Sequence, residues 1–286
     1  SAAVVFRMFE GLVDQDPVTL AVIPALAERW EIADGGLTYT FHVKKNVRFH
    51  NGRTMTPADV RFSFERCLTP ANRSERSWVL APIRGAAAML EGKASRLEGL
   101  ETPDDSTVII RLERPFAPFL SYLAMESARV IARESVEGGS FTPIGTGPFR
   151  FVEWNRDIRV RLDAFDGYHG PKAGIPRVDF EVVPESGVAL MKIVVGELDL
   201  VNETPPGQLP LIRKKYRKFV RMWPYLRIEY LGFNLTRPPF KDNLKLRQAF
   251  AWAVDRKGIA ESIHEGAALP ATSILPPGIP GRDSTI

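Results

Sequence analysis

The chain has 286 residues, room for one large domain or two ordinary ones, and is 44% hydrophobic and 25% charged. That balance fits a soluble globular protein, and no run reaches the ~18 consecutive apolar residues of a membrane helix. The net charge of +4 is local, because "RKKYRKFVR" supplies six cations (Arg213, Lys214, Lys215, Arg217, Lys218, Arg221) and leaves −2 for the rest.

A basic cluster can be a nucleic-acid footprint. No recognisable nucleic-acid motif accompanies this one, so it reads as a solvated helix end or edge strand, with no nucleic-acid partner. Cys67 stands alone, which excludes an intramolecular disulfide and a Cys-rich zinc site. The first residues lack the basic start, apolar block and small-residue cleavage site of a secretory signal. An exported form is therefore expected to be processed.

In chain order, "GLTYTFHVKKNVRFHNG" predicts a hairpin. Leu37, Tyr39, Phe41 and Val43 alternate inward, Lys44-Lys45-Asn46 turns, and Val47 and Phe49 return. "TPADVRFSFERCL" predicts a helix with Thr56 as N-cap, Pro57 at the first helical position and Asp59 in the first turn. Its inner stripe is Val60, Phe64, Cys67 and Leu68. "STVIIRL" reads as a strand, and "RPFAPFLSYLAM" as a short helix with Pro115 near its start. "FRFVEW" and "IRVRLDAF" form a second hairpin that bends at Asn155-Arg156-Asp157, and "RVDFEVV" is a strand.

"SGVALMKIVVG" is a helix closed by Gly196, with "ELDLV" as the strand after it. "RIEYLGFNL" is expected as another strand before the Pro-rich break "TRPPF". A helix striped by Leu246, Phe250 and Ala253 or Val254 follows. Asp255 caps a second helix, which Gly266 stops. Strand-rich blocks with interspersed helices make the fold class mixed α+β or α/β.

The chemistry-bearing motifs are few. "FTPIGTGPFRFVEW" holds Gly145-Thr146-Gly147, but Phe149 and Arg150 stand where a P-loop needs Lys and Ser/Thr. A dinucleotide fingerprint needs a third glycine and a helix, and a nucleophile elbow needs a central Ser. The turn therefore reads as a tight corner in which Gly permits positive φ and Pro148 leads into a strand. His42, His50, His169 and His264 have no metal-like partner at i+3 or i+4 and are expected on surfaces or loops, with His42 pointing outward. No cofactor and no Ser/His/Asp set is expected. A hydrolase on an unrelated α/β scaffold is the less favoured alternative.

One colinear series runs through the chain: "FEGLV", "PALAERWEI", "LTYTFHVKKNVRFHNG", "TPADVRFSFER", "PIGTGPFRFVEW", "AFDGYHG", "GELDLV", "LGFNLTRPPFKD", "LRQAFAWAVDRKGI" and "ILPPGIPG". This series resembles the family 5 extracellular solute-binding proteins, the peptide- and nickel-binding receptors of bacterial ABC importers. The resemblance implies a periplasmic-binding-protein-like fold of two lobes that close on ligand. It assigns residues 1–36 and 150–233 to the first lobe and residues 37–149 to an extra subdomain. Residues 234–286 become the crossing and start of the second lobe, most of which lies outside this sequence, so the chain is read as truncated.

The implied partners are a small peptide or metal chelate and the ABC permease subunits, with the receptor a monomer. The implied location is periplasmic or extracellular, membrane-anchored in a longer form. Glu10-Gly11-Leu12 match the segment whose main chain pairs with an extended peptide in oligopeptide-binding members, or else form an ordinary strand end. Trp78 and Arg129 match chelate-contacting positions of nickel-type members. Their alternatives are a partly buried aromatic and a structural ion pair. Glu75 replaces an arginine of the nickel-type pattern. Gly145, Thr146 and Gly147 are candidates for lining the cleft. With one cleft wall largely outside this sequence, the chain alone is expected to bind ligand poorly.

Overall fold

A computed structural model of the protein describes residues 2–137, 139–202, 204–222, 226–279 and 281–283. The chain divides into two units, Ser1–Val182 and Val183–Ile286.

The first unit opens with helix α1 (Ala2–Met8) and a two-stranded antiparallel ladder, β1 (Val13–Gln15) with β2 (Val22–Pro24). Next, β3 (Ala27–Ala33) and β4 (Thr38–Val43) form a hairpin whose bend places Asp34, Gly35 and Gly36 at positive φ. The hairpin straddles residues 36 and 37, the expected edge of the extra subdomain. Helices α2 (Pro57–Leu68) and α3 (Ala86–Leu90) follow, then β5 (Leu100–Asp104), β6 (Thr107–Arg111) and α4 (Phe119–Leu123). The sheet order is β3-β4-β6-β5, antiparallel throughout.

Alternation in β4 sends Tyr39, Phe41 and Val43 into the core and leaves His42 outward against Glu31, as expected. Phe41, Phe49, Phe64 and Phe119 are fully buried beneath this sheet and α2. Each such ring contributes roughly 1.5–3 kcal/mol of transfer free energy.

The expected return of the first hairpin is corrected. β4 has β3 on one edge and β6 on the other, so residues 47–49 find no free edge to pair with. They turn into a tight loop instead, held by Phe49 N–H to Arg53 O (2.8 Å) and Met55 N–H to Val47 O (2.8 Å). Val47 and Phe49 still point into the core.

Helix α2 starts as predicted. The Asp59 carboxylate accepts from the Thr56 N–H at 2.9 Å, and the same group accepts a fork from Arg53. Val60, Phe64, Cys67 and Leu68 form its buried stripe. A second sheet, β7 (Phe149–Asn155), β8 (Arg159–Ala164) and β9 (Arg177–Glu181), is antiparallel in that order. Phe149 and Leu162 from this sheet pack with Met8 and Phe9 in a smaller core.

The second unit carries α5 (Ser186–Val195), stopped by Gly196 at φ 82°, then α6 (Leu209–Lys215) and α7 (Leu244–Ala253). Asn243 caps α7 by accepting from the Leu246 N–H at 3.0 Å. Asp255 caps the short turn Arg256–Gly258, which continues through Ile259–Ile263.

Two expected strands, 197–201 and 227–235, are absent as strands. Both stretches have strand-like composition, but neither pairs in a ladder among the described residues, and pairing is what makes a strand. The stripe expected on α7 is not buried either. Phe250 is 46% exposed and meets Phe233 and Phe240 edge-on. Among the described residues no helix is long and apolar enough to cross a membrane.

Candidate functional site

The candidate residues of the first unit gather around the segment that leaves α1. Glu10, Gly11 and Leu12 are buried, and each carbonyl accepts from an amide of the same unit. Glu10 O takes the Val130 N–H (2.8 Å), Gly11 O the Leu26 N–H (3.0 Å) and Leu12 O the Ala27 N–H (2.9 Å). A Cβ on Gly11 would stand 3.0 Å from Leu123 O and Val13 O, so glycine is what lets α4 press this close. The segment is tied inward on its carbonyl side, although each carbonyl retains a second lone pair.

The Glu10 side chain does something its sequence context did not suggest. Its carboxylate meets His169 Nε2 at 2.9 Å and accepts from the Tyr168 hydroxyl at 3.2 Å. This pins the loop after β8 onto the segment after α1. Burial, with the Glu10 charge alongside, pushes the Tyr168 phenol up.

Arg129 follows the 3-10 turn Glu126–Ala128. Its fork lies on Asp14, at 3.2 and 3.0 Å, and it also donates to Ala124 O at 2.9 Å. The Phe6 ring faces its guanidinium carbon at 4.4 Å. The Arg129 side chain is 2% exposed and Asp14 is 40% exposed, so the ion pair presents a carboxylate to solvent and hides the cation. Of the two readings open for Arg129, the ion pair is formed, and the bidentate face is already occupied. Arg129 Nε is buried with no hydrogen-bond partner among the described residues.

Trp78 lies on the 3-10 turn Ser77–Leu80, which packs on α4. It is 46% exposed and stands edge-on to Tyr122 at 5.2 Å, and Tyr122 stands edge-on to Phe116 at 4.9 Å. Beside it, Arg76 pairs with Glu126. Trp78 and Arg129 are thus joined through α4 and the turn that follows it.

Gly145-Thr146-Gly147 is a corner, but not for the expected reason. Neither glycine has a positive φ. Close approach is what demands them: a Cβ on Gly145 would sit 2.0 Å from Met8 O, and one on Gly147 2.6 Å from Arg7 O. Gly147 N–H donates to Met8 O at 2.9 Å. All three residues are buried, and the Thr146 hydroxyl has no partner among the described residues.

His50 clamps this corner from the other side. Its Nδ1 accepts from the Gly145 N–H at 3.3 Å, its Nε2 donates to Gly147 O at 3.0 Å, and its own N–H donates to Gly145 O at 2.9 Å. Those contacts fix the neutral tautomer protonated at Nε2. Burial holds the imidazole pKa below its usual value, with the Gly147 carbonyl as a smaller opposing effect. The edge of Phe165 closes the ring at 5.0 Å.

His50 and His169 do lie in loops, yet both point inward. Their partners, Gly145, Gly147 and Glu10, are far away along the chain, and no local spacing signals them. Asp14 likewise sits 115 residues from Arg129.

These features define an α/β scaffold with a half-exposed aromatic wall, a presented carboxylate and a rigidly fastened backbone around residues 8–12. The family model described as "Bacterial extracellular solute-binding proteins, family 5 Middle" matches residues 21–286. The dipeptide-binding protein of Escherichia coli K12 is 31% identical over 98% of this chain and 54% of its own length. Heme-binding protein A of Haemophilus influenzae is 33% identical over 96% of the chain and 52% of its own length. The solved periplasmic binding protein DppA of Helicobacter pylori, in complex with the peptide STSA, matches with a TM-score of 0.79 at 26% identity, covering 98% of this chain and 57% of that one.

The chain belongs to family 5 of the bacterial extracellular solute-binding proteins. It spans about half the length of the curated relatives it matches.

Proposed function

We propose that this chain carries the ligand-capturing part of an ABC-importer receptor, taking a small peptide or peptide-like solute and delivering it to the membrane permease without a chemical step. In this reading it acts outside the cytoplasmic membrane, as a monomer. Family membership supports this, and so do two relatives, a dipeptide-binding protein and a binding protein solved with the peptide STSA.

The observation that carries the reading is the half-exposed Trp78–Tyr122 pair beside α4, with the Arg129 fork on Asp14 of β1, a strand that packs on the same helix. Trp78 walls the solute, the presented Asp14 carboxylate attracts its cationic end, and Arg129 positions Asp14. Glu10-Gly11-Leu12 and Gly145-Thr146-Gly147, all buried, serve as the rigid backing that holds the ligand-facing groups in place. Residues 1–36, 150–233 and 234–286 as lobe segments and 37–149 as the inserted subdomain belong to the same reading, with β3 joining the inserted sheet. The peptide reading is preferred over a metal chelate for two reasons: the Arg129 fork is engaged by Asp14, and Glu75 stands where the nickel-type pattern has arginine.

A thermal-shift panel on a form of the protein that carries both cleft walls tests this. Di- to pentapeptides at ~100 times their dissociation constant raise stability by ~2.7 kcal/mol. Trp78→Ala should weaken the best peptide by roughly tenfold, the worth of one well-placed aromatic contact. A panel in which metal chelates shift the protein and peptides do not overturns the peptide reading.

A further inference from the structure

The basic cluster is untouched by the solute-binding account, and the second unit presents it in a particular way. Leu209 and Ile212 anchor α6 in the unit, and Glu265 accepts from the Leu209 N–H at 2.9 Å. Beyond that anchor Lys214, Lys215, Arg217, Lys218 and Arg221 are all exposed. No acidic residue occurs from 204 through 228, and among the described residues none of the six cations forms an ion pair with a carboxylate.

Apolar groups are interleaved with the charges. Phe219 is 68% exposed, and Leu211 and Met222 are exposed beside it. Lys218 Nζ lies 4.8 Å from the Phe219 ring centre, and Lys215 Nζ 5.3 Å from that of Tyr216. An open cavity of about 370 Å³ lies between Arg213 and Arg217, with Val220 and Met222 as its apolar lining. Guanidinium groups beside an apolar floor suit a phosphodiester with hydrocarbon attached, and exposed aromatics among lysines suit the headgroup boundary of a bilayer.

We propose that residues 211–222 form a docking surface for anionic phospholipid headgroups, which would hold this unit at a membrane face. The inference does not depend on which solute the protein carries. Charge complementarity sets the partner: unpaired cations near an anionic leaflet act together, and salt screens them.

Vesicle co-sedimentation of the intact protein tests it, using phosphatidylcholine vesicles with and without about one-third phosphatidylglycerol. The protein should bind the anionic vesicles at least tenfold more tightly. Raising salt from ~0.1 M to ~1 M, which shortens the Debye length from ~10 Å to ~3 Å, should release it. Lys214→Gln/Lys215→Gln/Arg217→Gln should lose about a hundredfold in vesicle affinity. Phe219→Ser should lose several-fold, with circular dichroism and Tm unchanged in both variants. Equal binding to neutral and anionic vesicles overturns the proposal, as does binding that the triple variant retains. So does capture of soluble polyglutamate with no binding to anionic vesicles, which would mark an acidic protein partner instead.

Discussion

Gly145 is the residue whose identity the structure constrains most tightly. A methyl group there would sit 2.0 Å from Met8 O, a backbone atom, and 2.7 Å from Cδ1 of the buried Phe9 ring. Gly145→Ala is expected to cost at least ~3 kcal/mol, through overpacking and loss of the His50 clamp. A urea midpoint within error of wild type would contradict the clamp. His50 adds a pH dependence whose sign follows from its lowered pKa. The unfolded imidazole titrates near 6.5 and the folded one below it, so the unfolded state binds more protons between those values. The His50 contribution is complete above pH 6.5 and is lost as pH falls through the folded value. Urea midpoints measured from pH 8 to pH 5 should fall more steeply for wild type than for His50→Gln. Parallel curves would remove His50 from the account. The sequence placed a corner at Gly145–Gly147 because the neighbouring glycines and Pro148 are local. It gave no sign of Met8 or His50, because that contact closes over more than ninety residues.

At the scale of elements, α2 was readable to its first residue, because Thr56, Pro57 and Asp59 are a self-contained start signal. Asp59→Ala removes the acceptor for the Thr56 N–H and strands Arg53 with Glu134 alone. A loss of about 2 kcal/mol is expected from denaturant unfolding, combining a cap and one side of a partly buried ion pair. A change below ~0.5 kcal/mol would mean that Glu134 suffices. Strand partners were less readable. β4 shows its alternation plainly, but proximity in sequence points to residues 47–49 as its neighbour, and they are not. Its second edge is filled by β6, more than sixty residues later. Strand-like composition in 197–201 and 227–235 misled for the same reason, since it specifies extended backbone and not a partner.

At the scale of the molecule, the two units differ in how much apolar surface they cover. The first unit has two cores, the larger centred on Phe41, Phe64 and Phe119. The second buries Ala189, Leu209, Ile212 and Ala260, and leaves Met191, Leu200, Tyr230 and Trp252 exposed. Hydrogen exchange should therefore be slowest in β4 and β6 and much faster throughout α5 and α7. Uniform protection across both units would contradict that division. The family itself was legible because ten short motifs occur in one order, a signal that survives weak local identity. What stayed illegible was the engagement of Arg129 by Asp14, which occupies the fork of a residue matched to a ligand contact.

The most direct test of solute capture is a calorimetric titration, with dipeptides and tripeptides, of a form of the protein that carries both cleft walls, run beside Trp78→Ala in the same form. The account predicts saturable heat with a negative heat-capacity change for at least one peptide, and roughly tenfold weaker binding in the variant. The contradicting result is no saturable heat from any peptide, or heat that Trp78→Ala leaves unchanged.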